Sequence, residues 1–96
     1  MSRRLPFRLR LYVAGGALNS TQAVANLRAL CTAHLPGRHE IELVDVFREP
    51  KRALADGVFM TPTLMRIAPA PTLRIVGTLS STQPVLDALG LVALAA

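Results

Sequence analysis

The side chains in this sequence that could support covalent, redox or proton-transfer chemistry are one thiol, two imidazoles, six carboxylates and two groups of hydroxyls, Ser20-Thr21 and Ser80-Ser81-Thr82. Disulfide exchange needs an attacking thiol of low pKa, usually with a resolving thiol three residues on. Cys31 has no second thiol and lies on the helical stripe Ala23, Leu27, Leu30, Cys31, His34, Leu35. Nothing near it in sequence lowers its pKa, so it reads as a small core hydrophobe. His34 and His39 straddle Pro36-Gly37 without a cysteine or carboxylate cluster at ligand spacing, which argues against a metal site. Asp45 is a lone acid at the end of a strand-like run, suited to accepting a hydrogen bond from the next turn. The sequence contains no catalytic triad grouping, no carboxylate pair and no phosphate-cradling glycine pattern. The expectation is a protein without catalytic residues, metal or cofactor. The competing class is a thiol- or glutathione-dependent enzyme using backbone beside Pro62. Against it, Ser20 and Thr21 are better explained as helix caps than as thiol activators.

Charge points outward rather than to a reaction. Ten of the eleven basic residues are arginine and the formal net charge is +5. Guanidinium groups grip carboxylates or phosphates with two parallel hydrogen bonds, so an acidic or nucleotide-bearing partner fits. Nucleic acid fits less well: Arg3, Arg4, Arg8 and Arg10 cluster near the start, but four aromatic residues make no stacking platform. Lys51 and Arg52 form a second basic pair, a candidate partner surface. Apolar runs fall short of the ~20 residues of a membrane helix, no signal-peptide core is visible, and a lone cysteine excludes an internal disulfide. A cytoplasmic protein with no membrane partner is expected.

These side chains are positioned by a single domain of 96 residues, 51% hydrophobic. Phe7, Leu9, Leu11 and Val13 alternate with Arg8, Arg10 and Tyr12 as a strand with one apolar face. Ala14-Gly15-Gly16 ends it. Asn19-Ser20-Thr21-Gln22 resembles a capping box, and the helix it opens runs to Pro36-Gly37. Residues 40–46 form a second strand, apolar on both sides and therefore expected to be central. With a helix between them, the two strands read as a right-handed parallel crossover. Pro50 opens a short helix and Gly57 suits the left-handed position after it. Residues 63–67 and 73–76 make a hairpin around Pro69-Ala70-Pro71. Pro62 stands at its entry, where an X-Pro bond can be cis. After Ser80-Ser81-Thr82-Gln83, another capping-box match with Ser81 the better cap, the stripe Val85, Leu86, Leu89, Val92, Ala93 also fits a strand face. Leucine and alanine tip it towards helix, although Gly90 weakens that choice. The order β-α-β-α-β-β-α is that of a thioredoxin-like α/β domain.

Leu11-Tyr12-Val13-Ala14-Gly15, Asn19-Ser20, Asn26-Leu27, Ile41-Glu42-Leu43-Val44-Asp45-Val46, Pro50, Thr61-Pro62-Thr63-Leu64 and Ile75-Val76-Gly77-Thr78-Leu79-Ser80 together resemble the KaiB family. The resemblance implies a non-enzymatic part of a circadian oscillator that binds the ATPase ring of KaiC, sequesters KaiA and displaces the kinase SasA. It also implies metamorphism between a ground-state fold, β-α-β-β-α-α-β and often tetrameric, and the thioredoxin-like KaiC-binding state, expected to be monomeric or weakly dimeric. The positions it brings into that choice are Pro62, Pro69, Pro71, Gly77, Thr78, Ala88 and Gly90. Those it brings to partner binding are Arg66 and Arg74, beside Lys51 and Arg52. Thr78 replaces the family's usual aspartate, and Ala70 interrupts its triple proline. Gly57 and Leu73 stand where members often carry basic residues. A divergent paralogue with another partner is the alternative within the family.

Overall fold

A computed structural model describes residues 6–91. Arg3, Arg4, Val92 and Ala93, which figured in the basic cluster and the tail stripe, lie outside the described residues. The elements are β1 (Phe7–Val13), α1 (Leu18–His34), β2 (His39–Asp45), α2 (Pro50–Ala55), β3 (Thr63–Ala68), β4 (Leu73–Val76) and α3 (Thr82–Leu89). One four-stranded sheet carries them in the order β2-β1-β3-β4. β2 is parallel to β1, while β3 is antiparallel to both β1 and β4. This is the thioredoxin-like arrangement expected from the element order.

Strand alternation assigns the two faces. Phe7, Leu9, Leu11 and Val13 turn towards α1 and α3, joining Leu27, Leu30, Cys31, Leu64, Val85, Leu86 and Leu89 in the larger core. Tyr12, Val44 and Met65 turn the other way, where α2 adds Ala53 and the loop after it adds Val58. Fully burying a large apolar side chain stabilises by roughly 1.5–3 kcal/mol, so most of the hydrophobic driving force comes from the α1/α3 side.

Four expectations change. β2 is an edge strand rather than a central one. Val44 is buried on the α2 side and Ile41 packs against the larger core, cover that an edge strand can also have, whereas Leu43 is exposed and charged Glu40 and Glu42 suit an edge that should not pair with another chain. Neither capping box forms by side chains. Ser20 is buried, and its Oγ accepts from the Ala14 amide at 2.9 Å, tying α1 to the end of β1; Gln83 reaches forward to Asp87 at 2.8 Å. His34 faces solvent, leaving the α1 stripe at Cys31 and Leu35. The tail is helical as the leucines implied, starting after Ser81. Gly90 ends the helix from the left-handed region at φ 76 instead of weakening its middle.

The hairpin connection contains cis bonds at Ala68–Pro69 and Ala70–Pro71, and Thr61–Pro62 is also cis. Leu79 has φ 62, a left-handed conformation that costs a residue with a side chain about 1–2 kcal/mol. Its side chain is buried against the core, which offsets that cost.

Candidate partner-binding surface

The face of the sheet beneath α2 carries a polar lattice that the sequence did not announce. Parallel register sets Arg8 beside Glu40 and Arg10 beside Glu42. Arg10 donates through Nε to Glu42 at 2.8 Å and through Nη1 to Asp56 at 2.9 Å. The buried Tyr12 hydroxyl donates to Asp56 and lies 3.2 Å from the Arg52 carbonyl oxygen. Arg52 in turn reaches Glu42 at 2.8 Å and Glu49 at 3.3 Å. Two strands and one short helix are thus joined by charge-assisted bonds, stronger than neutral ones.

The titration of these groups follows from their neighbours. The Tyr12 hydroxyl holds the Asp56 carboxyl below the usual range, helped by Arg10 and opposed by burial. Arg10, and then Arg52, hold Glu42 low as well. Burial, then Asp56, pushes the Tyr12 phenol up, and the bond that Arg10 donates to Glu42 strengthens the hold of Arg10 on its proton. All four remain in the charge state that makes the lattice near neutral pH.

Of the expected contact residues, Lys51, Arg52 and Arg74 share this face. Lys51 is exposed, Arg52 is half-buried in the lattice, and Arg74 is exposed with Nη1 donating to the Gly57 carbonyl at 3.2 Å. Gly57 has φ +68, and a Cβ there would come within 3.0 Å of that guanidinium. Arg66 is not presented for contact. It points to the opposite face and is buried, donating to the carbonyls of Leu89 at 2.7 Å and Pro71 at 2.9 Å, with its Nε unpartnered. It braces the hairpin turn against the end of α3. Gly90 lies beside it, since a Cβ there would sit 3.5 Å from Nη1.

The remaining expected positions are spread along the β3–α3 half. Pro62 is buried at the start of β3, Pro69 and Pro71 are exposed in the turn, and Gly77 and Thr78 precede Leu79. The Gly77 amide donates to the Pro62 carbonyl at 3.0 Å, and the Thr78 carbonyl accepts from Asn26 of α1 at 2.8 Å. Ala88 is in the last turn of α3. Leu73 is half-buried on β4.

Cys31 is 0% exposed and burial pushes its thiol up to about 11, the reverse of what an attacking thiol needs. The loop after β1 presents only Ala14, Gly15, Gly16 and Ala17. Asp45 accepts from the Gly15 and Phe47 amides, as a turn-capping acid does. No group of three potential metal ligands occurs among the described residues, and no helix among them is long and apolar enough to cross a membrane.

The architecture defines a thioredoxin-like domain whose first loop carries no thiol. Among solved structures it is similar to the N-terminal domain of Synechococcus elongatus SasA, with TM-score 0.75 and 18% identity, covering 97% of this chain and 91% of that one. It is also similar to chloroplastic thioredoxin z, with TM-score 0.72 and 19% identity over 92% and 80% of the respective chains. At such identities the likeness concerns the fold. Sequence comparison is narrower: the KaiB domain matches residues 10–91. Circadian clock protein KaiB3 of Synechocystis sp. is 39% identical over 84 residues, spanning 88% of this chain and 82% of the relative. Circadian clock oscillator protein KaiB of Prochlorococcus marinus is 41% identical over 91 residues, 95% of this chain and 76% of that protein. The chain belongs to the KaiB family.

Proposed function

We propose that this protein is a non-enzymatic circadian clock component, acting in the cytoplasm, which in its thioredoxin-like fold binds a KaiC-type ATPase and governs access of KaiA and a SasA-type kinase. The observation that carries the reading is α3. Residues 82–89 are helical and closed by Gly90, the arrangement that the family resemblance links to KaiC binding. Likeness to the SasA N-terminal domain supports it, because two domains of one shape can compete for one partner surface.

The contact surface in this reading is the α2 face, with Lys51 and Arg74 offering exposed charge and Arg52 at its edge. Arg66 acts indirectly, by holding the turn to α3. Pro62, Pro69, Pro71, Gly77, Thr78, Ala88 and Gly90 belong to the half that would be rebuilt in the alternative fold. Two packings of one sequence coexist only when they differ by a few kcal/mol. A bond that exists only while 82–89 is helical, such as Arg66 to the Leu89 carbonyl, therefore weighs on that balance.

Co-elution with a KaiC ring in the presence of ATP tests the partner. Retention that falls when Lys51 and Arg74 are changed to glutamate supports the reading, and no retention with any KaiC from the same genome overturns it. Backbone chemical shifts for residues 82–89 test the fold: helical shifts are expected, and strand shifts would mean that the other packing prevails.

A further inference from the structure

Lys51 is the only lysine in the sequence, among eleven basic residues. Its amine is therefore the one side-chain group that can form a stable amide with an activated acyl group. Cys31, the one thiol, is fully buried and out of reach of such a reagent.

The surroundings of Lys51 are cationic. An open pocket of about 340 Å³ is lined by Arg48, Glu49, Pro50, Lys51 and Arg52, within the ~300–1,000 Å³ of small-molecule sites. Three cations thus face one carboxylate. That carboxylate is already engaged: Arg52 donates to Glu49 Oε1 at 3.3 Å, while its other nitrogen donates to Glu42 at 2.8 Å. Arg48 and Lys51 are exposed, and neither forms an ion pair among the described residues. The Arg48 amide donates to the Asp45 carbonyl at 3.1 Å, and Lys51 follows Pro50 in the first turn of α2, so both side chains leave a held backbone. The excess of positive charge matches a small dianion, and a guanidinium grips a phosphoryl group with two parallel hydrogen bonds.

We propose that Lys51 is an acylation site, with Arg48 holding the phosphoryl end of an acyl phosphate beside its amine. In its unprotonated form the Lys51 nitrogen attacks the acyl carbon. A C–N bond forms, the C–O bond to phosphate breaks, phosphate leaves with that electron pair, and the nitrogen gives its proton to solvent. The product amide is uncharged, so the pocket loses one of its two unpaired cations. The chemistry stands apart from the clock reading. Its consequence, weaker docking of a KaiC-type ring on the α2 face, rests on that reading.

The test incubates the folded protein with acetyl phosphate and follows acetylation of the Lys51 peptide by mass spectrometry, with Nα-acetyllysine in the same solution as the unassisted amine. Lys51 is expected to react about two- to fivefold faster, the reach of one exposed charge contact. Arg48→Gln should remove that advantage, and so should inorganic phosphate as a competitor. p-Nitrophenyl acetate, a donor without a phosphoryl group, should acetylate Lys51 equally in both proteins, which separates a held donor from a merely reactive amine and verifies the variant's fold. A Lys51 no faster than the free amino acid, an Arg48→Gln protein as fast as the wild type, or phosphate without effect would each overturn the proposal.

Protein acetylated at Lys51 should be retained less by a KaiC ring than the unmodified protein, and equal retention overturns the consequence. Acetylation at the expected rate in a protein that no ring retains sinks only the clock reading. Ring retention with an unassisted Lys51 sinks only this proposal.

Discussion

The two sides of the sheet are held by different physics. On one, α1 and α3 bury leucines and valines against Leu9, Leu11 and Leu64, contacts that tolerate changes of salt and pH. On the other, α2 buries only Ala53 from its six residues and is fastened by Asp56, Arg52 and their partners on β1 and β2. Apolar burial is broad and forgiving of direction, whereas a charge-assisted lattice works only in one geometry. The second kind of fastening can be loosened by solution conditions without dissolving the first. Lys51, Arg52 and Arg74 all stand on that adjustable side.

The comparison can be broken most severely from the apolar side. Leu27→Ala should cost about 2–5 kcal/mol in urea denaturation and lower protection of the whole fold. Asp56→Asn strikes the other face: it leaves Arg10 and Tyr12 without their carboxylate and should cost about 1–3 kcal/mol. Hydrogen exchange should accelerate first in α2 while α1 stays protected, and equal acceleration in both helices would refute the division. Alkali tests the apolar side again. Because the folded Cys31 thiol is pushed up to about 11, its contribution is complete below the ordinary thiol range and is lost as pH rises through about 11. The alkaline limb of the stability curve should be shallower in Cys31→Ala.

Acid acts on the α2 side with the opposite sign. Asp56 and Glu42 have lowered folded values, so their contribution is present above the ordinary carboxylate range near about 4 and vanishes as pH falls through those lower values. Amides of α2 should lose protection before those of α1 in an acid titration followed by NMR. The smallest effect belongs to Arg8, whose contact with Glu40 at 3.5 Å is exposed at both ends. Arg8→Ala should change stability by less than about 1 kcal/mol, and a larger loss would mean that the outer pair belongs to the lattice.

Much of the apolar side was legible in the sequence, because alternation in β1 and the stripes of α1 and α3 are local patterns. Leucine and alanine in the tail declared α3 even though a strand face fitted the same positions. The lattice was not legible. Arg10 and Asp56 are far apart in the chain and meet only through β1–β2 register and the return of α2. The one available hint was the matched spacing of Arg8 with Arg10 and of Glu40 with Glu42. Position within the sheet was hidden too, since apolar residues on both faces of β2 do not say how many strands flank it, and one of them, Leu43, is exposed. Arg66 illustrates the limit for contact residues: its basic character was visible, but its enclosure by the hairpin and α3 was not.

Gly57 and Arg74 form a mutually exclusive pair of addresses for one positive charge. The guanidinium occupies the space that a side chain at 57 would enter, and the left-handed backbone at 57 discourages any such side chain. A lysine grafted at 57 would therefore have to evict the existing cation before adding its own. The electrostatic footprint of this domain should consequently change less by such a graft than residue counting suggests, and more by moving or removing Arg74.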